Sequence, residues 1–148
     1  VLKGIAPIVG PELLAALRAM GHGDEIAIVD ANFPAASTAA RLVRLDGVDV
    51  VSALAAVVSL LPLDDFGPEA AWRMQVVDEP DLILPIHREF ADTLAVEGYT
   101  APLGRLERTE FYGRAARAFV VVSTSEARLY GNVLLRKGVI RPDGQAGS

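Results

Sequence analysis

Within Pro11–Met20 the apolar residues fall at 13, 14, 17 and 20, one face of a helix. Pro11 suits its first turn and Gly21 its stop. Gly21-His22-Gly23-Asp24 is too glycine-rich to continue that helix. The β-branched run Glu25–Val29 then reads as a buried strand ending at Asp30. Ala31-Asn32-Phe33-Pro34 forms a loop at its C-terminal end, the edge where open α/β sheets usually bind ligands. Arg41–Leu45 fits a strand or a helical turn, with strand favoured. Val48–Leu61 predicts an apolar helix closed by Pro62, and Ala71–Val77 alternates as a strand. Leu84–Val96 predicts an amphipathic helix with Pro85 in its first turn and His87 facing solvent. Thr109–Ala118 predicts another helix, Thr109 being its N-cap. Phe119–Ser123 is a fully apolar strand, and Tyr130–Val139 predicts the last one. Helices alternating with short buried strands predict a single α/β domain over residues 1–141, with a polar tail at 142–148. No repeat, low-complexity tract or long linker interrupts it.

Composition narrows the function classes. The chain has 148 residues, 51% apolar, a net charge of −5 and no cysteine, with a mean hydropathy of +0.33. Disorder is excluded by the apolar fraction, and disulfides, thiolate metal sites and cysteine nucleophiles by the absent Cys. A pI near 5.0 gives no reason to expect nucleic acid. The uncharged run Val51–Leu63 falls short of the roughly 20 residues that cross a bilayer. No signal peptide is read at the start, so a cytoplasmic protein is expected. No HEXXH, P-loop, GxGxxG or Gly-X-Ser-X-Gly motif occurs, and the two histidines offer no metal set.

Four constellations could carry chemistry. His22, between two glycines, can be approached closely and can give or take a proton near neutrality. His22 and Asp30 lie beyond opposite ends of one strand, roughly 17–20 Å long. They therefore cannot share a site within one subunit unless the chain bends sharply; a second subunit could complete it. Arg108, at a helix start with Tyr112, offers a rigid fork of donors and a phenol. Tyr130-Gly131-Asn132 opens the final strand with an amide and a close backbone approach. Trp72 shares a strand face with Met74 and is more simply core or interface than a sugar platform. Each also has a plain alternative: a helix stop, a surface ion pair, a strand-entry turn.

Taken in order, these segments resemble the ribose pyranase/fucose mutarotase family. The matching residues are Leu2-Lys3-Gly4-Ile5, Pro11-Glu12-Leu13-Leu14, Met20-Gly21-His22-Gly23-Asp24-Glu25 and Asp30-Ala31-Asn32-Phe33-Pro34-Ala35. Glu110-Phe111-Tyr112 and Tyr130-Gly131-Asn132-Val133-Leu134-Leu135-Arg136-Lys137-Gly138-Val139 complete them. The resemblance implies a three-layer α/β domain, a central sheet flanked by helices, that interconverts anomers of a free monosaccharide. His22 falls on the family's proton donor, and Asp30, Arg108, Tyr130, Gly131 and Asn132 on its sugar-contacting positions. It further implies ring-like homo-oligomers, decamers among them, with sites at subunit contacts. Arg108 with Phe111-Tyr112 is closer to the fucose branch; the ribose branch tends to carry His at that position. Ser125 departs from the Gly usual in its turn.

Mutarotation requires no cofactor or metal. The ring oxygen gains a proton, the anomeric hydroxyl loses one, and the open aldehyde turns before closing. His22 is the expected donor, Tyr112 a second-tier contact, and the base stays open among Asp24, Asp30 and Tyr130. Rival readings are a D-ribose pyranase, a non-catalytic sugar-binding accessory protein and a purely structural ring-forming protein.

Overall fold

The fold, taken from a computed structural model that describes residues 1–143, is organised by one six-stranded sheet of order β2-β5-β1-β6-β3-β4. Its strands are β1 (Glu25–Val29), β2 (Leu42–Leu45), β3 (Ala71–Met74), β4 (Gly104–Leu106), β5 (Val120–Thr124) and β6 (Val133–Arg136). β2 and β1 run parallel to β5, and β3 runs parallel to β4. β6 pairs antiparallel with both β1 and β3 and joins the two halves. Arg41–Leu45 is thus a strand from Leu42. Residues 144–148 of the expected tail lie outside the described residues.

Helices cover both faces, giving three layers. α1 (Pro11–Ala19), α3 (Val50–Val58) and α4 (Pro85–Val96) bury Leu13, Leu54 and Phe90 against Ile26, Ile28, Val122 and Leu135. On the other face α2 (Ala35–Thr38) and α5 (Arg108–Arg117) bury Ala35, Phe111 and Ala115 against Ala27, Val29, Val121 and Leu134. Alternate residues of one strand feed opposite cores, so the central strands are apolar throughout. Trp72 belongs to this second core, with the Arg114 and Arg136 guanidiniums 4.0 and 4.8 Å from its ring centroid. Both arginines pair with Glu25.

Three expectations are corrected. His87 does not face solvent: it is 2% exposed, beneath the first turn of α4. Thr109 is not a cap; α5 starts one residue earlier, and the Glu107 carboxylate accepts from the Thr109 and Glu110 amides. The regular part of the last strand is only Val133–Arg136, because Tyr130 adopts a left-handed φ of 59° and Lys137 forms an isolated bridge to Leu63. α2 and β4 were not legible in the sequence; both are too short for periodicity to register.

The lone antiparallel strand positions everything that follows. The connection 125–132 is too short for a helical crossover, so the chain must return antiparallel. It passes over the end of β1 because β6 pairs on the far side of that strand. Ser125, in place of the usual Gly, is accommodated: its hydroxyl accepts from the Gly47 amide at 2.7 Å and its own amide donates to the Val48 carbonyl.

Candidate active site

At the C-terminal end of β1, Asp30 clamps two segments together. Its Oδ1 accepts from the Asn32 and Phe33 amides, both at 3.0 Å, and its Oδ2 from the Gly131 amide at 3.1 Å. The Asp30 amide in turn donates to Asn132 Oδ1 at 2.8 Å. An ionised carboxylate offers about four acceptor positions, and backbone N–H groups occupy three of them. Burial pushes the Asp30 carboxyl up from its ordinary value, against the pull of these N–H groups. Asn132 is equally buried; its side chain also favours the charged form of Asp30, and its Nδ2 lies 3.9 Å from the weak acceptor Met74 Sδ.

Tyr130 completes this cradle. Its phenol oxygen accepts from the Val77 amide at 3.1 Å, leaving its own proton to donate. Space at Gly131 is tight: a Cβ there would meet Ile86 Cδ1 at 3.0 Å, Glu126 Cγ at 3.1 Å and the Arg128 carbonyl at 3.2 Å. Arg108 lies at the same edge, just past the end of β4, exposed and with its guanidinium 5.9 Å from the Tyr112 ring centroid. Tyr112 stands edge-on to Phe33, centroids 4.9 Å apart. Asp30, Tyr130, Gly131, Asn132 and Arg108 therefore gather at one sheet edge.

His22 is at the other edge, before β1 begins. Its Nε2 is 3.0 Å from Oδ1 of the buried Asp64, and its ring lies 5.0 Å from that of Phe66. The imidazole is 44% exposed, and with Nε2 held by a carboxylate, Nδ1 is the nitrogen left to exchange a proton. Asp64 was missed in the sequence, where it marks only the end of an apolar run. The closing Arg136-Lys137-Gly138 segment builds this edge. Lys137 Nζ caps α1 through the Leu17 and Met20 carbonyls at 2.8 and 2.6 Å, and its carbonyl accepts from the Gly23 amide. Gly138 lacks the Cβ that would collide with the Leu63 backbone, and the Asp64 amide donates to the Arg136 carbonyl. Asp24 folds back on its own turn, its Oδ2 accepting from the Gly21 amide at 2.7 Å.

Two half-sites thus sit at the two ends of β6, separated by the length of the sheet. One carries a buried carboxylate, an amide and a phenol with a guanidinium at the same edge; the other carries an imidazole beside a buried carboxylate. Among the described residues no group of three His, Asp or Glu could hold a metal ion, and no helix is long and apolar enough to cross a membrane.

Fold and edges together define an α/β protein with polar groups for a small polyhydroxylated ligand. The chain belongs to the RbsD / FucU transport protein family, whose pattern matches residues 3–140. It is 45% identical over 145 residues to the human fucose mutarotase, covering 94% of each chain. The structure resembles that of the fucose mutarotase from Streptococcus pneumoniae in complex with L-fucose, with a TM-score of 0.88 and 38% identity, covering 95% of this chain and all of that one. The Bacillus subtilis RbsD, complexed with D-ribose, shares the fold at a TM-score of 0.72 and 20% identity, over 95% of this chain and all of that one.

Proposed function

We propose that this protein is a mutarotase that interconverts the α and β anomers of L-fucose. The observation that carries this reading is the 45% identity to a fucose mutarotase over nearly the whole length of both chains. In the mechanism we propose, Asp30, Asn132, Tyr130 and the Gly131 backbone hold the sugar at the cradle edge, with Arg108 binding a pair of hydroxyls. His22, oriented by Asp64, protonates the ring oxygen as the C1–O bond to it breaks. The anomeric hydroxyl gives its proton to an acceptor at the cradle edge, where Asp30 offers a carboxylate and Tyr130 a phenol oxygen. The aldehyde turns about C1–C2 and the steps reverse on its other face. Positioned proton transfer of this kind contributes roughly 10²–10⁴-fold.

Because the half-sites lie on opposite edges, a working site draws His22 from one copy and the cradle from the next. The exposed apolar residues support this arrangement. Phe66 lies beside His22 on one edge, while Val77 and Leu129 flank Tyr130 on the other. Two different patches pair head to tail, the geometry that closes into rings. The cysteine-free composition suits a reducing cytoplasm.

Saturation-transfer NMR on the anomeric protons of L-fucose and D-ribose tests the reading. Fucose exchange should be fast and should collapse in His22→Ala and in Asp30→Asn, then partly return when the two variants are unfolded and refolded together. Faster exchange of ribose forms than of fucose would favour a ribose pyranase. Binding without faster exchange would favour an accessory protein.

A further inference from the structure

The Tyr130-Gly131-Asn132 turn is backed by the first turn of α4, and the contact is close. Ile86 is one of the atoms a Gly131 side chain would strike. The next residue, His87, bridges the two elements through both ring nitrogens. Its Nδ1 lies 3.1 Å from the Leu84 amide, which can only donate, so Nδ1 carries the lone pair. The proton is then on Nε2, which lies 3.2 Å from the Tyr130 carbonyl and donates to it. Tyr130 is the residue with the left-handed φ of 59°, uncommon without glycine and sustained only where surrounding bonds fix it.

We propose that His87 is a positioning residue for the sugar site: by holding the Tyr130 carbonyl it fixes the left-handed conformation that sets the Tyr130 phenol against the Val77 amide. Nothing in the mechanism above uses this imidazole, and its hydrogen bonds reach the cradle through Tyr130. Its environment maintains the tautomer required. Burial and the nearby Arg73 guanidinium both oppose protonation, which would turn Nδ1 into a second donor facing the Leu84 N–H. The Asp30–Gly131 bond fixes the following residue, so Tyr130 is held by backbone contacts on both sides.

The proposal rests on the sugar-site reading, and two substitutions separate positioning from helix capping. His87→Asn keeps an acceptor for the Leu84 amide but cannot reach the Tyr130 carbonyl. His87→Gln places an N–H near the position of Nε2 and loses the cap. The readouts are kcat and KM for L-fucose exchange, the urea midpoint, and the ¹⁵N–¹H cross-peaks of Val77 and Gly131. His87→Asn should lower kcat by roughly 10- to 100-fold, displace both cross-peaks and leave the urea midpoint near wild type. His87→Gln should recover most of the rate and the peak positions. Equal losses in both variants, losses that follow the urea midpoint, cross-peaks that stay in place in His87→Asn, or peaks that move with no change in rate would each overturn the proposal. If the wild-type protein fails to exchange fucose anomers, the sugar reading falls, while the cross-peaks still decide whether His87 sets Tyr130.

Discussion

Lowering the pH from 7.5 to 5 should cost the folded protein about 2 kcal/mol through His87 alone. Burial, and then the Arg73 guanidinium, hold this imidazole at about 4, against an ordinary 6.5. Above pH 6.5 it is neutral in both states and contributes no pH dependence. As the pH falls below 6.5 the unfolded chain binds a proton that the folded chain refuses until about pH 4. Stability therefore drops through that window and levels off below it. At about 1.4 kcal/mol per tenfold difference in proton affinity, the complete loss is about 3 kcal/mol, two thirds of it reached by pH 5. Other groups act in the same experiment. Asp49 and Glu126 are held below their ordinary values and lose stability only in stronger acid, while the raised Asp30 works in the opposite sense. The comparison is therefore wild type against His87→Gln, which cannot titrate, by urea unfolding at fixed protein concentration from pH 7.5 to 4. The difference between the two curves should grow by about 2 kcal/mol down to pH 5. Parallel curves would refute the claim that His87 is buried as the neutral base.

Arg73 is 6% exposed and its Nη1 has no hydrogen-bond partner among the described residues. Arg73→Met should therefore be neutral or stabilise by about 1 kcal/mol in urea unfolding; a clear destabilisation would show that the guanidinium is satisfied. Gly104→Ala forces a Cβ into Trp72 and Glu69, and should cost about 1–3 kcal/mol. Trp72 is the only tryptophan, so its fluorescence should shift in that variant; an unchanged spectrum and midpoint would count against the packing. Arg108→Ala should weaken L-fucose binding by about 1.5–3 kcal/mol, the range for a hydrogen bond to a charged group; unchanged affinity by calorimetry would remove Arg108 from the site.

Much of the domain was legible because its signals are local. Pro11 and Gly21 bracket α1, the β-branched runs Glu25–Val29 and Phe119–Ser123 mark the central strands, and the apolar run of Val48–Leu61 contains α3, which starts two residues inside it, capped by Asp49. His87 shows how a local reading fails. Its i+3 and i+7 neighbours, Phe90 and Leu94, are both buried, so the helical stripe already contained it. Its polar type suggested the wrong face. Asp64 and Arg73 carried no comparable signal: one follows an apolar run, the other sits mid-strand, and only the packing of distant segments buries them.

The amino-acid order alone determined the longer strands and helices, though not α2 or β4, and the two polar clusters around His22 and Asp30. It also placed those clusters beyond opposite ends of a five-residue strand, because a strand has a fixed rise per residue. Tertiary structure decided which segments complete each cluster. The return of β6 lays Gly131 and Asn132 on Asp30 at one end, and at the other bonds Lys137 to Gly23 and Asp24 and Arg136 to Asp64, the neighbours and partner of His22. That choice depends on the connection 125–132 crossing the end of β1, a pairing between residues about a hundred positions apart. No short window of sequence contains both partners of such a contact, so the hydrophobic and polar pattern alone could not pair them, and the bonds that join them exist only in the folded chain.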